Sequence, residues 1–150
     1  MRVYLVVIDE TQEAHSALRF AARRAIDTGG AVHILALVPK QAFNAFGGVQ
    51  ATIEEEARDR AEVMANSAAG ELMSESGLMP QIAVREGDDK VVIKDYLAEH
   101  PEVAALVLGA ATEGNPGPLV THFSGSAGDL PCPLFIVPGG LSEEEIDRLS

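Results

Sequence analysis

The stretch "VYLVVI", residues 3–8, carries no charged side chain over its whole length. Four later stretches resemble it: "AVHILALV" (31–38), "QIAV" (81–84), "VAALVLG" (103–109) and "PLFIV" (133–137). A strand that faces water on one side alternates apolar and polar residues, whereas a strand covered on both faces is apolar throughout. These five runs therefore predict a sheet that is buried between two layers.

Helical patterns separate the predicted strands. In the first of them, apolar residues recur at three- and four-residue spacing, namely Ala14, Ala17, Leu18, Ala21, Ala22, Ala25 and Ile26. Gly29 and Gly30 follow, and glycine tolerates the positive φ that commonly ends a helix. We predict a second helix over about 50–75 and a third over about 89–99, where Asp88 supplies an N-terminal cap.

The last stretch, "SEEEIDRL", places Ser142 three residues before Glu145, which is the spacing of a capping box. We therefore expect residues 139–150 to form a short C-terminal helical extension. Elsewhere strands and helices alternate, and this order predicts an α/β fold with a doubly wound parallel sheet. A chain of 150 residues has the usual size of a single domain.

A doubly wound sheet binds its ligands at the carboxyl ends of the strands, near the point where the strand order reverses. In this chain those ends are Asp9-Glu10-Thr11, Val38-Pro39-Lys40 and the stretch from Gly109 onward. The loop at 39–50 is long enough to overhang a site at this edge.

Asp9 directly follows the first apolar run. Such an acid commonly caps the next helix or a turn. It can equally accept a hydrogen bond from an amine or hydroxyl group of a ligand. The sequence alone leaves both interpretations open.

The stretch 109–126 is rich in glycine and hydroxyl side chains. Successive backbone N–H groups in such a loop can hold a phosphate, whereas the alternative is a glycine-rich surface turn. No Lys or Arg occurs between Lys94 and Arg148. A phosphate here would rely on backbone dipoles, a divalent cation or a side chain from elsewhere, for which Arg85 and Lys40 are the candidates. Neither a Walker A pattern nor the Rossmann GxGxxG fingerprint is present.

The formal net charge is −12 at pH 7. An acidic protein is poorly suited to bind nucleic acid or an anionic membrane, because both attract Lys and Arg. One cysteine excludes an internal disulfide, and neither a secretory signal nor a membrane-spanning run is apparent. We therefore expect a cytoplasmic protein that binds neither nucleic acid nor membranes.

The residues that could perform catalysis are scattered. His33 lies in a predicted strand and His100 ends a helix, so we interpret both as structural. His122 lies in the 109–126 loop and is the histidine best placed to meet a ligand. Cys132 lies between two prolines and is interpreted as a small buried apolar residue. Because no metal-ligand spacing and no Ser/His/Asp set is found, the sequence predicts no metal site and no catalytic mechanism.

Together, "VYLVVID", the Ala-rich first helix with "GAVHILALVP", "VAALVLGA" and "LPCPLFIVP" resemble the universal stress protein family over essentially the whole chain. The resemblance implies a five-stranded parallel sheet with strand order 3-2-1-4-5. It also implies a homodimer, which we expect to form through the edge strand 133–137, because pairing removes an exposed apolar edge.

Many members of that family bind ATP or another adenine nucleotide, with Mg²⁺ where ATP binds. Carried over by position, the resemblance implies cofactor contacts from Asp9, Val38, Gly109, Thr112, Gly114, Gly125 and Ser126. Of these, Thr112 stands where the family has a glycine, and Gly125-Ser126 comes later than the family spacing.

The implied function is a dimeric stress-response binding or signalling module that takes an adenine nucleotide at the strand ends. One alternative is an ATP-dependent switch with slow ATP hydrolysis, which is the most enzymatic activity that we expect. The other is a module that binds a protein partner, as yet unknown, and no nucleotide.

Overall fold

The computed structural model describes residues 1–39 and 47–150, with the backbone alone for 47–51. The strands are β1 (Val3–Ile8), β2 (Ala31–Pro39), β3 (Gln81–Gly87), β4 (Val103–Ala110) and β5 (Leu134–Pro138). They form a parallel sheet ordered β3-β2-β1-β4-β5, as the family resemblance implied. The helices are α1 (Gln12–Thr28), α2 (Gly47–Ser76), α3 (Asp89–Glu99), α4 (Pro118–Gly125) and α5 (Glu143–Leu149).

The central strand β1 is buried on both faces, as its continuous apolar run predicted. Tyr4, Val6 and Ile8 pack into the core that α1 and α2 cover. Val3, Leu5 and Val7 pack into the core beneath α3 and α4. The sheet is thus the middle layer of three, and the doubly wound architecture is confirmed.

The first helix ends where the sequence predicted. Gly29 adopts a φ of +64°, in the left-handed region, and closes α1. The third helix also begins as predicted, because the Asp88 side chain accepts a hydrogen bond from the N–H of Val91 at 3.2 Å.

The second helix begins a few residues earlier than predicted, at Gly47. The sequence predicted an overhanging loop at 39–50, and this prediction was too long. Strand β2 ends at Pro39, and residues 47–50 are helical. Residues 40–46 lie outside the described part of the chain. The buried stripe of α2 is built mainly of small side chains, namely Ala57, Ala61, Ala65, Ala68 and Leu72.

The prediction of a continuous loop over 109–126 is wrong, because residues 118–125 form α4. Pro118 occupies the first helical turn, where its missing N–H costs no helical hydrogen bond. Val120 and Phe123 are buried against the sheet and hold the helix there. These apolar positions outweigh the poor helix propensity of the surrounding glycine and serine residues.

The C-terminal extension forms the predicted helix α5, opened by a capping box between Ser142 and Glu145. It packs against α1, and its Ile146 is 2% exposed. Arg19 donates two hydrogen bonds to the carboxylate of Asp147, at 2.9 and 2.8 Å. This hydrogen-bonded pairing lowers the pKa of the Asp147 carboxyl. In the described ranges, none of the helices combines the length and apolar character that crossing a membrane requires.

Candidate functional site

A crevice of about 530 Å³ opens at the carboxyl ends of β1, β2 and β4. It lies over the switch point, since β1 continues to β2 on one side and pairs with β4 on the other. Its floor is apolar and includes Val7, Leu37 and Leu108. The crevice is therefore in the position where sheets of this class bind ligands, and its volume suits a small molecule.

Asp9 lies at the mouth of this crevice, one residue after β1. Its Oδ1 accepts hydrogen bonds from the N–H of Thr11, at 2.9 Å, and from the Thr11 hydroxyl. The other carboxylate oxygen, Oδ2, makes no hydrogen bond to any described residue. Asp9 therefore has a structural role in the turn before α1 and still offers one oxygen to a ligand.

Three helices begin at the crevice. Its lining includes Thr11 before α1, Asp88 before α3 and Gly117 before α4. The N-terminus of a helix carries partial positive charge and unpaired N–H groups, and both attract anions. The convergence of three such termini would by itself favour an anionic ligand.

The chain places its own carboxylates at two of these termini. Asp88 caps α3, and the Asp89 carboxylate accepts a hydrogen bond from the N–H of Lys90 at 2.8 Å. Glu13 lies in the first turn of α1. With Asp9, these side chains make the lining of the crevice acidic, and no Lys, Arg or His lies among its described lining residues.

The N-terminus of α4 offers few donors. The N–H of Gly117 donates to Asn115 Oδ1 at 2.8 Å, and Pro118 has no N–H. The N–H of Thr121 already donates to the Gly117 carbonyl. Only the N–H groups of Leu119 and Val120 are left without a partner in the described chain. Gly117 has a φ of +119°, which side-chain-bearing residues rarely adopt.

The structure brings some of the predicted contact residues together and separates others. Asp9 and Gly109 both line the crevice. The side chain of Val38 is fully buried in the core beneath α1 and α2, while its neighbours Leu37 and Pro39 line the crevice.

The remaining predicted contacts lie away from the crevice lining. Thr112 and Gly114 are in the bend between β4 and α4, and the Thr112 methyl lies against Gly140, in the turn after β5. Gly125 and Ser126 are at the opposite end of α4 from the crevice. There the N–H and hydroxyl of Ser126 both donate to the His122 carbonyl, at 3.2 and 3.0 Å.

The basic side chains that the sequence suggested for the site lie elsewhere or outside the described residues. Arg85 donates to Glu99 at 2.7 Å and lies over the ring of Tyr96. His122 lines a separate shallow depression beside Lys90, on the outer side of Pro118. Lys40 falls outside the described residues.

Sequence reasoning missed the residues at the start of α3 and α4 as part of the site. Asp88 was interpreted only as a helix cap, because the site was sought at the ends of the first, second and fourth strands, whereas β3 also ends beside it, at Gly87. Gly117 and Pro118 were placed inside a loop. The glycine-proline pair followed by apolar residues was the available signal of a helix start.

A second cavity, of about 500 Å³, lies between α1 and α2 and shares Asp9 with the crevice. Its walls are mostly apolar and include Leu18 and Met64. It lies to one side of the sheet rather than over the switch point, so we take the strand-end crevice as the candidate site. No three His, Cys, Asp or Glu side chains in the described ranges are grouped closely enough to hold a metal ion.

Several solved structures that share this fold are universal stress proteins. The UspA protein of Lactobacillus plantarum is 21% identical, with a TM-score of 0.78 over 91% of this chain and 97% of its own. A universal stress protein of Archaeoglobus fulgidus, in complex with dAMP, is 17% identical, with a TM-score of 0.64 over 91% and 97%. One from Arabidopsis thaliana, with AMP bound, is 14% identical, with a TM-score of 0.61 over 92% of each chain.

At these identities, the likeness shows the fold alone. Among curated proteins, no sequence is significantly similar to this chain. The sequence model of the universal stress protein family matches residues 1–138, which is most of the chain, and the protein therefore belongs to the universal stress protein family.

Proposed function

We propose that this protein is a cytoplasmic stress-response module that binds an adenine nucleotide in the strand-end crevice. The observation that carries the proposal is the crevice itself, about 530 Å³ over the switch point, with Asp9 at its mouth. The bound dAMP and AMP of two structural relatives support the choice of ligand class.

The crevice has the surfaces that a nucleoside requires. Val7, Leu37 and Leu108 form an apolar floor on which a base can be buried. The free oxygen of Asp9 can accept a hydrogen bond from a ribose hydroxyl or from the amino group of adenine. The N-terminus of α4 closes the side next to Gly109.

The hydroxyl side chains of α4 and Ser126 are engaged in local hydrogen bonds, which does not favour catalysis. Ser124 and Ser126 donate to backbone carbonyls of α4 instead of to a base. Thr121 donates to Asn115. None of them is prepared to act as a nucleophile, and we assign the protein no more than slow ATP hydrolysis.

The Asp9→Asn substitution tests the proposed site. Asparagine keeps the turn to Thr11, but it puts an amide nitrogen where the free carboxylate oxygen was. We expect AMP and adenosine to bind about tenfold more weakly, measured by titration calorimetry. Glu10→Gln, one residue away and outside the crevice lining, should leave both affinities unchanged. If wild type and Asp9→Asn bound both ligands with equal affinity, the proposed contact of Asp9 with the ligand would be ruled out.

We also propose that the protein is a homodimer that pairs through the β5 edge. β5 ends the sheet, and the side chain of Ile136 there is 40% exposed. An unpaired apolar edge favours association with another strand.

Ile136→Glu should raise the dissociation constant of the dimer at least about tenfold, because it buries a charge at the interface. Light scattering at micromolar concentration measures this shift. Val63→Glu, at a side chain that is 69% exposed on α2, is the matched control and should stay dimeric. A wild-type monomer at this concentration would contradict the proposal.

A further inference from the structure

We propose that the strand-end crevice selects adenosine and its monophosphate and discriminates against the triphosphate. The inference rests on the proposed function and specifies the ligand class of the same site. It follows from the chain's own charges and donors around the crevice.

The chain places its own carboxylates at two of the helix termini, and at α3 they accept the N–H hydrogen bonds that an anion would take. Asp88 and Asp89 accept N–H hydrogen bonds at the start of α3, and Glu13 lies in the first turn of α1. A triphosphate in the crevice would place several negative charges beside these carboxylates and beside Asp9. Like charges repel each other, and the repulsion is strongest where water is partly excluded.

Few backbone donors remain for a phosphate at the start of α4. At the start of α4, Gly117 is bonded to Asn115 and Pro118 has no N–H. The N–H groups of Leu119 and Val120 are left, and two adjacent N–H groups can hold one phosphate group. A longer phosphate chain would find no further backbone donors at this terminus.

No basic side chain lies among the described residues that line the crevice. The acids are not grouped so that three of them, within the described ranges, could hold a metal ion. Mg²⁺ bound to ATP would therefore reduce the repulsion without adding a protein-held cation, and the preference for the monophosphate should persist.

Lys90 could offer a triphosphate the positive charge that the described crevice lining lacks. It lies in the depression on the outer side of Pro118, together with Asn115, Thr121 and His122. A triphosphate that crossed Pro118 could reach this lysine. The proposal requires that Lys90 make no contribution to binding.

The test is titration calorimetry of the protein with adenosine, AMP, ADP and ATP, in EDTA and in excess Mg²⁺. In EDTA at low salt, AMP should bind at least about tenfold more tightly than ATP, with ADP between them and adenosine within about threefold of AMP. The ratio of AMP to ATP affinity should shrink as salt is added, because screening weakens the repulsion.

Charge removal gives a second readout. Asn keeps the capping hydrogen bonds of Asp, so Asp88→Asn/Asp89→Asn removes two charges with little change in geometry. This variant should bind ATP about tenfold more tightly and adenosine as before. Asp95→Asn, on the exposed face of the same helix, should change neither affinity.

Two results would overturn the inference. If ATP, with or without Mg²⁺, bound as tightly as AMP, the selectivity would be wrong while the nucleotide site stood. Loss of that ATP affinity in Lys90→Met or Lys40→Met would then identify the lysine that holds the phosphates. If none of the adenine ligands bound, the proposed function would fail and the inference with it.

Discussion

Replacing Gly109 by alanine is expected to destabilise the fold by about 3 kcal/mol or more. A Cβ at this position would lie 2.0 Å from the carbonyl oxygen of Glu13 and 2.5 Å from its carbonyl carbon. Both atoms belong to the backbone of α1, so they cannot rotate away as a side chain would. Either α1 must move off β4 or β4 must bend, and each change disturbs the core on that face of the sheet.

Gly125→Ala is the matched control. Nothing lies within 4 Å of a Cβ built at Gly125, and the residue is the last one of α4. Alanine should therefore be neutral or slightly stabilising there, because it restricts the unfolded chain. Urea unfolding of the two variants measures the difference. Equal stability of both would show that α1 does not pack against β4 at this distance.

The same pair of variants separates structure from ligand binding. The family resemblance implied that both glycines contact a nucleotide. In the structure, Gly109 must be glycine for packing alone, whether or not a ligand is present. Gly125 has no such requirement and lies outside the crevice lining. We therefore expect Gly125→Ala to leave the affinity for AMP unchanged.

The layers of the fold could be predicted because they depend on local composition. A continuous apolar run such as Val3–Ile8 indicates a strand covered on both faces wherever it occurs. The Gly29 stop and the Ser142–Glu145 capping box are likewise local, and each is confirmed. Asp9 could be singled out because it follows the first strand directly.

The charge of the crevice could not be predicted in the same way. Asp9 and Asp88 are 79 residues apart in the chain and meet only because β1 and β3 end at the same edge of the sheet. Helix α4 was missed because its eight residues include glycine and serine, whose helix propensity is low. Tertiary packing of Phe123, which is fully buried, decides the conformation there.

A buried aromatic cluster lies on the far side of the sheet from α1. His33, on β2, is 7% exposed, and its Nδ1 lies 2.8 Å from the hydroxyl of Tyr96, which is fully buried. His100 stacks on Tyr96 with the ring centroids 3.9 Å apart. Burial, and secondarily the positive charge of His100 when it is protonated, lowers the pKa of His33.

A lowered histidine pKa makes the native state less stable in acid. Below the pKa of an unfolded histidine, about 6.5, the unfolded chain binds a proton that the folded chain does not. The contribution of His33 is therefore complete above pH 6.5 and declines as the pH falls. The free energy of unfolding should therefore fall as the pH drops below 6.5, by no more than about 1.4 kcal/mol per pH unit.

Urea unfolding at intervals from pH 7 to pH 5 measures this slope above the range where most carboxylates titrate. In His33→Gln the drop should be largely lost, because glutamine keeps a polar group near Tyr96 but binds no proton. His122→Gln, in the depression beside Lys90, should retain the wild-type slope. If His33→Gln retained it as well, the acid sensitivity would have to arise from another group.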